Sequence, residues 1–249
     1  IGHEAAKARL RQDALLLKQG RLTSLPMGYL MCGPVGTGKS FLAQCAAGEI
    51  GIPCVILKNF RSKYVGETEG NLERVLSLLR AMGPAMVVID EADAALGSRE
   101  SEGDSGTSGR VFGMIATQMG DTRYRGNILW MLLTARPDLL PIDLKRQGRA
   151  EVHIPLFYPT DEAEIRQMFV VLAKKMKSSL VPEDIPPVPQ TGLLSGADIE
   201  GLVGRALRLS LLAGSDTITK AALAEVVGQF LPSIQGAEKE MQEVAAILE

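Results

Sequence analysis

The sequence predicts an α/β fold in which a parallel sheet is sandwiched between helices over residues 1–157, followed by a small all-helical domain over residues 158–249. Three observations predict it. Short apolar runs alternate with helical patterns as far as Pro155, the mark of a parallel sheet covered on both faces. A glycine cluster, Gly33 to Gly38, separates the first apolar run from a helix-forming segment, as a strand–loop–helix unit requires. Beyond Pro155 only helical stripes remain.

Taken in order, residues 4–19 are strong helix formers that stop before Gly20. Gly28 to Cys32 is a short apolar run, Lys39 to Ile50 a helix, and Cys54 to Leu57 a buried strand after Pro53. Leu72, Val75, Leu76 and Leu79 fall at i, i+3, i+4 and i+7, a helical stripe stopped by Gly83-Pro84. Met86 to Ile89 is a strand that runs into two acids, and residues 97–109, rich in Gly and Ser, read as a mobile loop. Asn127 to Leu133 and Glu151 to Ile154 complete the strand candidates. Past Pro155, Ile165, Phe169, Leu172 and Met176 share a helix face capped by Thr160 or Asp161. After a proline-rich linker at 182–189, three helices carry Ile199/Leu202/Val203/Ala206, Leu223/Val226/Val227/Phe230 and Met241/Val244/Ala245/Leu248.

Composition excludes several classes. Hydrophobic residues make up 46% and charged residues 22%, values of an ordinary globular chain and not of a disordered one. With 27 basic against 29 acidic residues the net charge is −2, so no basic surplus exists to neutralise a nucleic-acid backbone, and no nucleic-acid partner is expected. Three cysteines without a CxxC pair disfavour a disulfide framework and a zinc site, and fit a reduced cytoplasmic compartment. No apolar stretch approaches the roughly 18 residues of a membrane span, and no signal-peptide pattern precedes the first strand. The chain opens on Ile1 and its folding signals begin almost at once, as in a piece excised from a longer protein.

Gly33-Pro34-Val35-Gly36-Thr37-Gly38-Lys39-Ser40 matches G-x-x-x-x-G-K-[ST], the P-loop signature of nucleoside-triphosphate binding. Glycines let backbone N–H groups turn inward as an anion nest, and the next helix adds its N-terminal dipole. Lys39 is expected at the β- and γ-phosphates of ATP, and the Ser40 hydroxyl at Mg²⁺. Pro34, Val35, Gly36, Thr37, Gly38 and Phe41 complete the nucleotide-binding stretch. An ordinary glycine-rich turn would match by chance in about one such chain in fifty, before strand and helix context is considered. Asp90, ending the apolar strand, would hold Mg²⁺ through water, and Glu91 would polarise the attacking water. Asp90-Glu91-Ala92-Asp93 also spells the acidic motif of DEAD-box helicases, which need a second RecA-like domain where this chain has helices.

Together these stretches resemble the AAA family of ring-forming ATPases, over nearly the whole chain. Ile1-Gly2 is similar to the family's step beside the adenine, and Ser62 to Glu69 to its pore-loop segment. Thr134-Ala135-Arg136-Pro137-Asp138-Leu139-Leu140 followed by Arg146-Gln147-Gly148-Arg149 resembles the TNRPDxL…RPGR region, and Ser195-Gly196-Ala197-Asp198 the start of the lid helix that meets the nucleotide. The resemblance implies a P-loop αβα sandwich with a helical lid, and Mg-ATP hydrolysis in a homo-oligomeric, hexameric ring. It implies contacts from Ile1, Gly2, Gly196 and Ala197 to the nucleotide, and Arg146 and Arg149 as arginine fingers for a neighbouring subunit. Lys63, Tyr64 and Val65 would grip a protein substrate in a central pore. Two bland readings stay open: the arginines as surface residues of a loop, and Tyr64 as a half-buried tyrosine at a helix start.

Ala135 departs from the pattern, because the family's sensor position there is usually Asn. Losing one polar contact of that kind could cost of order 10²-fold in rate. Thr134 could substitute in part, although adjacent strand residues face opposite ways. The usual Asp-Pro is also changed, to Pro141-Ile142-Asp143. A protein remodeller is therefore weighed against an ATP-binding assembly switch with weak hydrolysis, and against a DNA-associated machine that the charge disfavours.

Overall fold

A computed structural model describes residues 1–57, 65–97, 107–188, 192–231 and 237–249. The chain forms two compact units: Ala5–Gly33, Lys39–Leu156 and Val244–Glu249 make one, and Ile1–Glu4, Pro34–Gly38 and Phe157–Glu243 the other.

The first unit is built on five parallel strands, β1 (Gly28–Cys32), β2 (Cys54–Leu57), β3 (Ala85–Ile89), β4 (Ile128–Thr134) and β5 (Val152–Pro155), in the order β2-β3-β4-β1-β5. The continuous apolar runs of β1, β3 and β4 are buried from end to end, because helices cover both faces and neither face can be polar. One face carries Leu30, Val87, Ile89, Trp130 and Leu132. They pack with Leu72, Leu76 and Leu79 of α3 (Val65–Ala81) and with Val111, Ile115 and Met119 of α5 (Thr107–Met119). The other carries Tyr29, Met31, Met86, Val88, Met131 and Leu133, against Ala6 and Leu10 of α1 (Glu4–Lys18) and Ala43, Ala46 and Ala47 of α2 (Lys39–Ile50). Two further short helices are α4 (Ala92–Leu96) and α6 (Ile142–Lys145).

The parallel register aligns the strand ends that matter. Cys32 pairs with Thr134 and Ile89 with Leu132, so the segments after β1, β3 and β4 leave the sheet along one edge, where α/β sheets bind ligands.

In the second unit, Ile165, Phe169 and Ala173 of α7 (Glu162–Lys175) pack on Ile199, Leu202, Val203 and Ala206 of α8 (Gly196–Leu212) and on Leu223, Val226 and Val227 of α9 (Lys220–Gly228). Each helix starts on a side-chain cap: Asp161 accepts from Ala163 N, Ser195 forms a capping box with Asp198, and Thr219 accepts from Ala222 N.

Two elements differ from the sequence reading. Helix α5 already starts at Thr107, within the stretch read as a loop, and runs to Met119 where no helix is expected. Gly109 and Gly113 cost it about 1 kcal/mol each, less than burying Val111, Ile115 and Met119 returns. The last helix, α10 (Ala237–Ile247), buries Gln242, Ala245 and Ala246, while Met241 and Val244 of the expected apolar stripe stand exposed. Gln242 accepts from the Val35 N–H at 3.1 Å, a contact that an apolar side chain cannot make.

Candidate functional site

The turn after β1 starts from a backbone that only glycine fits. Gly33 has φ +140, and a Cβ there would collide with the carbonyl oxygen of Leu156. From Pro34 to Thr37 each carbonyl has a donor within the same unit. Pro34 O accepts from Thr37 Oγ1 (3.0 Å), Val35 O from Tyr158 Oη (2.6 Å), Gly36 O from Gly196 N (3.1 Å) and Thr37 O from His3 Nε2 (3.0 Å). A trans peptide directs its N–H away from its carbonyl, so each carbonyl held in this way turns the N–H of the following residue away from the donor. Gly36 and Gly38, at φ +85 and +88, supply the left-handed conformations that such an anion nest needs. Gly36 also lies so close to Ser195 that a Cβ would sit 2.8 Å from its side chain.

The P-loop thus gathers several of the expected nucleotide contacts. Gly196 is hydrogen-bonded to Gly36, Ala197 is its neighbour, and His3 holds the segment that starts at Ile1 and Gly2. Gly2 has φ +75, with the Glu164 carboxylate where a Cβ would go.

In the sheet unit, Lys39 opens α2 and its Nζ donates to Gly33 O at 2.7 Å. Burial holds its pKa down to about 8, against the opposing pull of Asp90, Cys32 and Asp93. Ser40 Oγ donates to Asp90 Oδ2 at 2.6 Å, which joins the loop's hydroxyl to the carboxylate at the end of β3. These are hard oxygen donors, and one carboxylate with one hydroxyl is the protein share of a Mg²⁺ site completed by phosphates and water. Phe41, the next residue, is exposed.

Glu91 follows with φ 49 and ψ 48, a left-handed conformation that is uncommon for a non-glycine residue and that His3 and Lys177 also adopt. Its own N–H donates to Asp90 Oδ1 at 3.0 Å. The Thr134 hydroxyl, 1% exposed with its residue, donates its single proton to Asp93 Oδ1 at 2.6 Å and accepts from Arg136 N at 2.9 Å. Both groups it engages belong to its own unit, so the hydroxyl serves to tie the end of β4 to α4.

The two candidate arginine fingers converge on Asp143. Arg146 Nε donates to Asp143 Oδ1 at 3.0 Å, and Arg149 Nη1 to its carbonyl at 2.8 Å. The Arg146 bond, followed by the Arg149 charge, holds the Asp143 carboxyl below its ordinary range. Arg146 is 56% exposed and available to another molecule, whereas Arg149 is 13% exposed, with its Nε buried and unpartnered among the described residues. Of the pore segment, Lys63 and Tyr64 lie outside the described residues, and Val65 is the first residue of α3.

Tyr158, Gln242 and His3 reach the loop without any motif to mark them, while Asp93 and Asp143 stand inside stretches read in the sequence that assign them no such partner. Tyr158 and Gln242 reach Val35 across 123 and 207 residues of chain, separations that no local pattern reports.

Comparison with known proteins bears directly on this geometry. The model of the AAA family, the ATPase family associated with various cellular activities, matches residues 29–158. The chain is 32% identical to the ATP-dependent zinc metalloprotease FtsH 3 of Sphaerobacter thermophilus, over 83% of this chain and 42% of that protein. It is 26% identical to Protein mac-1 of Caenorhabditis elegans, over 88% of this chain and 28% of the relative. It is 30% identical to the cell division cycle protein 48 homolog of Archaeoglobus fulgidus, over 75% of this chain and 26% of the relative. The chain therefore spans less than half the length of these relatives.

Proposed function

Because the chain belongs to the AAA family of ATPases, we propose that it binds Mg-ATP on the loop from Gly33 to Ser40 and hydrolyses it to ADP and phosphate. The observation that carries this reading is the 2.6 Å contact between Ser40 Oγ and Asp90 Oδ2, a hydroxyl and a carboxylate 50 residues apart meeting beside the loop. Mg²⁺, held there, would supply charge neutralisation at the phosphates. Lys39 exchanges its bond to Gly33 O for phosphate oxygens, and the nest amides of residues 36–38 bind the same charge. Glu91 takes a proton from the attacking water, a role that a carboxylate can fill. Ile1, Gly2, Phe41, Gly196 and Ala197 surround the remainder of the nucleotide.

The same reading assigns residues 1–157 to the nucleotide domain and 158–249 to a lid. Copies assemble as a cytoplasmic, hexameric ring in which Arg146, and Arg149 once released from Asp143, complete a neighbour's site. Tyr64, with Lys63 and Val65, would thread a protein substrate. Relatives named for ATP-dependent proteolysis and for the cell division cycle support ATP-driven work on proteins. Among the described residues no helix is long and apolar enough to cross a membrane.

A second reading, an ATP-dependent assembly switch with weak hydrolysis, is favoured by one observation. Ala135 has no polar side chain, and the neighbouring Thr134 hydroxyl is committed to Asp93. ATPase rates and solution mass, with and without ATP, test both readings on the wild type and Glu91→Gln. The hydrolytic reading expects the variant to bind ATP, to lose about 10²–10⁴-fold in rate and to shift with ATP from monomer to a closed multiple. Equal rates for the two proteins, with ATP still bound, would overturn hydrolysis in favour of the switch. An unchanged mass with ATP bound would overturn ring assembly.

A further inference from the structure

Val35 has both of its backbone groups held by side chains. Its carbonyl accepts from Tyr158 Oη at 2.6 Å, and its N–H donates to Gln242 Oε1 at 3.1 Å. Gln242 belongs to α10 and is 3% exposed, while Met241 beside it is 44% exposed. The buried face of α10 thus sets this amide beside two small apolar residues, Ala245 and Ala246, so a polar contact helps to seat the helix. The amide's orientation follows from its partners. The Val35 N–H requires the oxygen, and Glu238 Oε1, 3.3 Å from Nε2, requires the NH₂. The same turns of α10 meet Tyr158 as well. Lys239 lies 5.4 Å over its ring and pairs with Glu243 at 2.8 Å. Tyr158 and Gln242 therefore form one assembly around a single residue of the P-loop.

Fixing both groups of Val35 fixes the two peptide planes that flank it. The second plane carries the Gly36 N–H, which is trans to the carbonyl that Tyr158 holds. Gly36 has no side chain to restrict its own rotation, so the direction of its amide is set from outside.

We propose that Gln242 is a positioning residue for the P-loop, and that helix α10 and nucleotide occupancy are coupled through it. The proposal rests on reading Gly33 to Ser40 as the ATP site. Without the amide, the loop residue that precedes Gly36 must be ordered when ATP binds, at a loss of about tenfold in affinity, equivalent to about 1.4 kcal/mol. Coupling is reciprocal, so bound ATP protects α10 by the same factor.

The experiment measures ATP affinity, kcat and KM on the full chain, with amide hydrogen exchange over residues 237–243 with and without ATP. Three proteins are compared: the wild type, Gln242→Met, which keeps the size and removes the acceptor, and the exchange Glu238→Gln with Gln242→Glu, which restores an acceptor opposite a donor at unchanged charge. The expected result is a Kd and KM about tenfold higher for Gln242→Met with kcat little changed, recovery in the exchanged pair, and ATP-dependent protection of 237–243 in the wild type. Equal affinities for the wild type and Gln242→Met overturn the proposal, and so does exchange over 237–243 that ignores ATP. If Gln242→Met does not fold, exchange on the unaltered chain decides. A wild type that binds no ATP overturns the ATP-site reading instead.

Discussion

Replacing Lys39 with Met is expected to stabilise the nucleotide-free chain while removing its affinity for ATP. The Lys39 ammonium is held at the end of β1 by Gly33 O, 2.7 Å away, and burial lowers its pKa from 10.5 to about 8. At about 1.4 kcal/mol per tenfold, keeping that charge buried costs about 3 kcal/mol at pH 7. Losing the bond to Gly33 O returns about 1 kcal/mol of this, so Lys39→Met should be more stable by about 2 kcal/mol. The pH dependence follows from the lowered value. Below pH 8 both folded and unfolded chains carry the proton, and the cost is fully present. Between about 8 and 10.5 the unfolded chain binds more protons, so wild-type stability rises with pH and the advantage of the variant shrinks. Urea unfolding at pH 7 and pH 10 reads both effects, and a fluorescent ATP analogue reads the affinity. With ATP at a hundredfold over its Kd the order reverses, because binding adds about 2.7 kcal/mol to the wild type alone. A variant no more stable than the wild type at pH 7, or an advantage unchanged at pH 10, would refute the reasoning.

Gly33→Ala should cost about 3 kcal/mol or more, since its Cβ meets the Leu156 carbonyl and its φ is +140; a thermal midpoint about 6–12 °C lower in calorimetry is the expected readout. Thr134→Val removes the hydroxyl that donates to the Asp93 carboxylate and accepts from the Arg136 N–H and should destabilise by about 1–3 kcal/mol in urea, with Thr134→Ser restoring the loss. A larger effect of Thr134→Val on kcat than on stability would give the hydroxyl a direct part in the reaction. Arg146→Ala removes only an exposed pair with Asp143, so stability should change by less than about 1 kcal/mol, while ATPase falls by about 10³-fold or more if the residue serves a neighbour. Wild-type ATPase in that variant would remove its role in trans.

The sequence by itself determined whatever local spacing encodes. Strands β1, β3 and β4 are legible because a strand buried on both faces must be apolar throughout, and the runs Gly28 to Cys32, Met86 to Ile89 and Ile128 to Leu133 are. The P-loop is legible because its function depends on glycine conformations and on a lysine and serine at fixed offsets, all within eight consecutive residues. Asp90 is legible as the acid that ends a buried strand. Helix α5 escaped because its two glycines weaken the local signal, and a core built from distant β-strands outweighs them.

Only the tertiary structure decided which partners these residues take. It commits the Thr134 hydroxyl to Asp93, gathers Arg146 and Arg149 on Asp143, and holds Val35 between Tyr158 and Gln242. Spacing specifies the conformation a segment prefers, through its dihedral angles and the periodicity of its side chains. A hydrogen bond spanning 207 residues depends on the path of the whole chain between its ends, and for Gln242, beside an apolar helical stripe and not part of it, nothing in the local pattern distinguishes a solvated amide from one that seats the helix.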